Sequence, residues 1–173
     1  TFFFDITAFT NLTHDHLDYH ETMDEYFSEK LKLFNLNKDN GSSVVMIDDE
    51  YGKRIAELNS NVKCISLKNE DADYFCTSYS INSFGLAGTL AWDSKTLDFE
   101  SKLIGSFNLE NLILAASIAI ELNISAQSIA KGIENCTNID GRLHLVENQK
   151  NQMIFLDYAH SPDADFRTLK ALE

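Results

Sequence analysis

The sequence predicts an α/β fold, a mostly parallel sheet with helices joined to a small antiparallel meander. Three observations carry this. "VVMID" (44–48) is a short unbroken apolar run, as in a parallel strand buried on both faces. "DEYGKRIAELN" reads as a helix and leads to a second such run, "VKCISLK" (62–68), giving βαβ order. From Asp73 to Lys102, "YFCTSYSI", "LAGTLAW" and "TLDFESKL" alternate or nearly alternate, with "DSK" as a turn between the last two.

The other elements follow in order. Residues 1–12 read as a buried strand or two ending in "TNLT". Thr22 with Glu25 three residues on is a capping-box pattern, so a helix is expected over 22–36. Met23, Tyr26, Phe27, Leu31, Leu33 and Phe34 recur at spacings of three and four and form its apolar stripe. "GSFNLENLILAASIAIELN" is apolar nearly all round, hence a buried helix. A further helix over 125–136 has Ser125 as its N-cap. "MIFLD" is a strand ending at Asp157, and a helix begins near Ser161 with Pro162 at its first position. A new strand–helix unit thus starts near Gly141, which divides the chain into 1–140 and 141–173.

The bulk properties exclude some functions. A formal charge of −13 argues against nucleic acid as a partner. Three scattered cysteines, Cys64, Cys76 and Cys136, fit reduced thiols better than a disulfide framework or a zinc site. No apolar run reaches the roughly 18 residues of a membrane span. The opening "TFFFDITAF" and closing "DFRTLKALE" look like cuts within a longer protein.

Four groups of residues carry candidate chemistry. Lys30 falls inside the apolar stripe, four residues from both Tyr26 and Phe34. Either it snorkels its ammonium to water, or it loses its charge and reacts as a neutral amine. His16 follows Asp15 at a strand end, a ligand-binding place in an open α/β sheet, with Asp18 and His20 near enough to orient it. In "GSFNLEN" (105–111), Asn108 sits where an N-cap would and Asn111 follows three residues on. That is either a plain capped helix or a helix N-terminus for a phosphate or a polar ligand edge. Arg142 after Gly141 suits a phosphate. Asp157 and His160 in "DYAHSPD" would edge a polar crevice.

Taken in order, "FTNLTHDHLDYHETMDEYFSEKLKLF", "GSFNLENLILAASIA", "GR" and "DYAHSPDA" resemble the Mur ligase family over nearly the whole chain. Within it, the DYAH-S/T-PDA form resembles the branch that adds the third residue of the peptidoglycan stem peptide. The resemblance implies an ATP-dependent amide ligase that joins a diamino acid to UDP-MurNAc-L-Ala-D-Glu through an acyl phosphate. It implies that Lys30 is carbamylated by CO2 and helps hold one Mg2+, that His16 binds a second Mg2+, and that Tyr26 is the motif tyrosine one turn before. Asn111, with Asn108 nearby, should contact the nucleotide, Arg142 the terminal phosphate, and Asp157 the ribose, with His160 close by. Residues 1–140 would be the C-terminal part of the central ATPase domain, and 141–173 the start of a Rossmann-like ligase domain. The full-length protein is expected to be cytoplasmic and monomeric. No G-x-x-x-x-G-K-[ST] loop occurs in the chain, so that loop should lie upstream and this piece alone should be inactive.

Ser28-Glu29 before Lys30 and His144 after Gly-Arg depart from the family pattern. The alternatives are a sister ligase of the folylpolyglutamate or cyanophycin type, a carbamylated-lysine metallohydrolase, and a non-catalytic relative.

Overall fold

A computed structural model describes residues 2–13, 22–150 and 152–172. Its strands are β1 (Phe4–Phe9), β2 (Asn37–Met46), β3 (Val62–Ser66), β4 (Tyr74–Asn82), β5 (Gly85–Trp92), β6 (Lys95–Ser101), β7 (His144–Leu145) and β8 (Phe155–Leu156). Its helices are α1 (Met23–Leu31), α2 (Glu50–Leu58), α3 (Ser106–Glu121), α4 (Ala126–Asn135) and α5 (Pro162–Lys170).

The parallel strands and the meander form one sheet, in the order β1-β2-β3-β4-β5-β6. β4 joins them. Its first residues pair parallel with β3 (Ile65 with Tyr74), and the strand then pairs antiparallel with β5. A separate two-stranded ribbon, β7-β8, lies beside α5 in the sequence.

The apolar run at β2 is explained by the pleat. Successive side chains point to opposite faces of a strand. Val44 and Met46 enter the core beneath α3, with Ile65, Leu90, Leu109 and Ile113. Val45 enters a second core with Phe9, Phe27 and Ile55, beneath α1 and α2. Both faces of the parallel part are therefore covered, and no polar alternation appears. α3 is buried on most of its circumference, as its composition requires, and Ser117 satisfies its hydroxyl on the Ile113 carbonyl at 2.8 Å.

The N-caps at Thr22, Ser125 and Ser161 stand where the sequence puts them, each hydroxyl accepting an amide three residues on. Three expectations are corrected. The first twelve residues give one strand, whose Phe4 and Asp5 are exposed. The helix expected over 22–36 stops at Leu31 and tightens into a 3₁₀ segment, Lys32–Leu36.

Lys30 is the third. It is exposed, with its Nζ 5.2 Å from the centre of the Tyr26 ring. Phe27 is the one buried residue of α1. At 100° per residue Lys30 lies about 60° round the helix from Phe27. The stripe is narrower than the spacing suggested, and Lys30 stands at its edge rather than within it.

Candidate active site

The site is built at the C-terminal edge of the parallel strands, where open α/β sheets bind ligands. Thr10, Asn11 and Thr13 follow β1 there. They share a cavity of about 230 Å³ with Glu110 and Asn111 of α3, Arg142, Asp157 and Arg167 of α5. Asn111, Arg142 and Asp157, predicted from three separate stretches, are thus brought together. Thr10, Asn11, Thr13, Glu110 and Arg167 were not foreseen. Position at a strand end was an available signal for the first three. For Glu110 and Arg167 no local signal exists, since each meets the cavity only through packing.

The Gly-Arg and DYAH stretches are tied to each other. Asp157 accepts the Leu143 amide at 2.8 Å on one oxygen and the Ala159 amide at 2.7 Å on the other. The Tyr158 amide donates to the Gly141 carbonyl at 2.8 Å. Gly141 has φ +70, and a Cβ there would run into the Tyr158 ring. Arg142 is therefore presented by a turn that only glycine fits. Asp140 meets the His144 ring at 3.2 Å.

Asn108 does not cap α3. The N-cap is Gly105, with φ +90 and ψ 147, and Asn108 lies within the first turn. Its Nδ2 donates to the Ile104 carbonyl at 2.8 Å, it is 1% exposed, and its Oδ1 has no hydrogen-bond partner. It faces a second cavity, about 570 Å³, between α3 and α4. Asn111 and Arg142 line this cavity too, so they form the wall between the two. His160 lines neither. It is exposed, its Nδ1 2.7 Å from the Tyr158 carbonyl. A wider hollow of about 680 Å³ over β4–β6 holds none of the predicted residues.

Glu110 is the perturbed acid of the site. Burial pushes its carboxyl above the usual range, opposed by the charges of Arg167 and Lys68 and reinforced by Asp48 and Asp49. Lys30 and Tyr26 line neither cavity. His16, with Asp15, Asp18 and His20, lies outside the described residues. Among the described residues no three His, Cys, Asp or Glu converge as a metal site. A carbamate on the exposed Lys30 would supply the oxygen donors that magnesium prefers. No helix among the described residues is long and apolar enough to cross a membrane.

The model of the Mur ligase middle domain matches residues 1–119. The chain belongs to the Mur ligase family. It is 35% identical over 172 residues to the UDP-N-acetylmuramoyl-L-alanyl-D-glutamate–2,6-diaminopimelate ligase of Nostoc sp., covering 97% of this chain and 35% of that protein. The ligase of the same name from Fusobacterium nucleatum is 38% identical over 163 residues, covering 93% and 33%. The chain therefore spans about a third of the length of these Mur ligases. A solved UDP-N-acetylmuramoyl-L-alanyl-D-glutamate–2,6-diaminopimelate ligase superposes with a TM-score of 0.76 at 29% identity, covering 96% of this chain and 35% of that one. MurF from Acinetobacter baumannii superposes at 0.84 with 20% identity, over 97% and 37%, which shows the Mur ligase fold.

Proposed function

We propose that the protein containing this chain is an ATP-dependent ligase that joins a diamino acid to UDP-N-acetylmuramoyl-L-alanyl-D-glutamate, in the cytoplasm, for peptidoglycan precursors. The convergence of Asn111, Arg142 and Asp157 on one cavity carries the reading. The names of the similar ligases favour diaminopimelate over lysine. Residues 1–140 would belong to a central ATPase domain and 141–173 to the next domain, with the full-length protein a monomer.

Each residue has a task that its surroundings permit. Asp157 accepts one backbone amide on each oxygen, and a carboxylate has about four lone-pair sites. It keeps acceptor capacity for ribose hydroxyls while holding the Arg142 turn. The Arg142 guanidinium suits the terminal phosphate by its fork of donors. Asn111 presents an amide to the base, with Asn108 behind it. The glutamate side chain of the dipeptide takes the γ-phosphoryl group as an acyl phosphate. The amine of the diamino acid then attacks, forming the amide and releasing phosphate.

Lys30, carrying a CO2-derived carbamate, would help hold one magnesium ion and His16 a second. When bound, such ions neutralise charge on the transferred phosphoryl group. The exposure of Lys30 leaves its amine open to CO2.

The test is phosphate release by the full-length protein with ATP, magnesium and the UDP-muramoyl dipeptide, adding diaminopimelate or lysine in turn. Release that depends on diaminopimelate is expected. Release that is independent of both amino acids, or absent from a folded protein that binds ATP, would overturn the reading.

A further inference from the structure

We propose that Arg54 is a positioning residue for Lys30: from α2 it clamps Phe27 and Asp24 of α1, and so fixes how that helix is turned about its own axis. The proposal deepens the functional reading above and rests on the role given there to Lys30. α1 needs such a clamp. It has nine residues, and Phe27 is its one buried side chain, with Met23, Tyr26 and Leu31 only partly buried against the same core. One inserted side chain sets the depth of a short helix and leaves a pivot about which it rocks. Lys30 is exposed, and its Nζ lies 5.2 Å from the centre of the Tyr26 ring on the same helix. Where the amine stands therefore follows from how α1 is turned.

α2 supplies the fixed base. Asp49 caps it, accepting the Tyr51 amide at 3.0 Å and the Gly52 amide at 3.2 Å. Gly52 packs so closely on β2 that a Cβ there would run into the Met46 carbonyl oxygen. Ile55 is 1% exposed, in the core that also holds Phe27. Arg54, one residue before it, lays its guanidinium carbon 4.3 Å from the centre of the Phe27 ring and 5.2 Å from that of Tyr51. Its Nη1 donates to Asp24 Oδ1 at 2.9 Å.

The geometry turns these contacts into an angle. At 100° per residue, Asp24 and Lys30 lie about 60° to either side of Phe27. Arg54 holds the centre and one flank of α1, and the other flank, with Lys30, is placed by that hold. The exposed ion pair to Asp24 alone would contribute little. A planar cation stacked on two rings while its edge pairs with a carboxylate adds direction as well as attraction. Lysine at this position would keep the charge and lose the plane.

The experiment supplies the full-length protein with carbon-13 bicarbonate and follows the Lys30 carbamate by NMR. In forming it, the amine nitrogen bonds the carbon of CO2, one C–O π pair moves onto oxygen, and one N–H proton passes to water. In Arg54→Ala the bicarbonate concentration that half-fills Lys30 should rise roughly fivefold, as for the loss of one cation–π contact. Phosphate release at limiting bicarbonate should fall in step, and excess bicarbonate should restore both. Amide hydrogen exchange should quicken in α1 and stay unchanged in α2 and β2. Arg54→Lys should fall between Arg54→Ala and the wild type. Wild-type carbamate filling in Arg54→Ala, or exchange that quickens evenly through the core, would overturn the proposal. A wild-type protein that shows no carbamate sinks the reading of Lys30 and not the clamp. The clamp is then decided by exchange alone, and unchanged exchange in α1 of Arg54→Ala overturns it.

Discussion

Asp157 accepts the backbone amide of Leu143, fourteen residues away, at 2.8 Å. This bond fastens the start of the DYAH stretch to the turn that carries Arg142. Leu143 is buried at 5% exposure and has φ +46, a left-handed conformation that a branched side chain seldom adopts. The carboxylate thus holds an uncommon backbone shape.

Asp157→Ala should therefore damage folding and binding together. It leaves the Leu143 and Ala159 amides unpaired, at a cost of about 1–3 kcal/mol. Asp157→Asn, which keeps one acceptor oxygen, should recover part of the stability while leaving ATP affinity at least tenfold down. Denaturant midpoints and calorimetric ATP titrations separate the two effects. Wild-type ATP affinity in Asp157→Asn would remove the carboxylate from the nucleotide site.

Gly141→Ala should destabilise by about 1–3 kcal/mol, because φ +70 is unfavourable for alanine and the Tyr158 ring occupies the Cβ position. Adding Tyr158→Ala should recover the steric part of that loss. Thermal melts of the single and double variants measure it. An unchanged melting temperature in Gly141→Ala would show that the turn is not fixed.

Glu110 gives a pH dependence with a definite sign. Its folded carboxyl is raised, chiefly by burial. Stability from its protonated form is fully present below the unfolded value, about 4.3, and is lost as pH rises through the higher folded value. Glu110→Gln should then match the wild type near pH 4 and become progressively more stable than it towards pH 7. Urea unfolding across that range reads the gap. A gap that closes on raising the pH contradicts the assignment.

Lys30→Ala should leave stability within about 0.5 kcal/mol of wild type, since the side chain is exposed. Phosphate release by the full-length protein should nevertheless be lost and should return in part with a short carboxylic acid that replaces the carbamate oxygens. Retained activity in Lys30→Ala would exclude the carbamate from the reaction.

The sequence by itself determined most of the elements and their caps, because these depend on residues a few positions apart. Thr22, Ser125 and Ser161 reach amides three residues on, and "VVMID" declares a strand covered on both faces. It also singled out Asn111, Arg142 and Asp157, which the fold gathers on one cavity. Only the tertiary structure decided that β4 joins the parallel strands to the meander, that Gly105 rather than Asn108 caps α3, and that Lys30 stands clear of the core. It alone brought Glu110 and Arg167 into one cavity. The reason is that periodicity fixes the angle of a side chain about its own helix. What lies opposite that side chain is set by packing between segments far apart in the chain, and burial, pairing and charge follow from that packing.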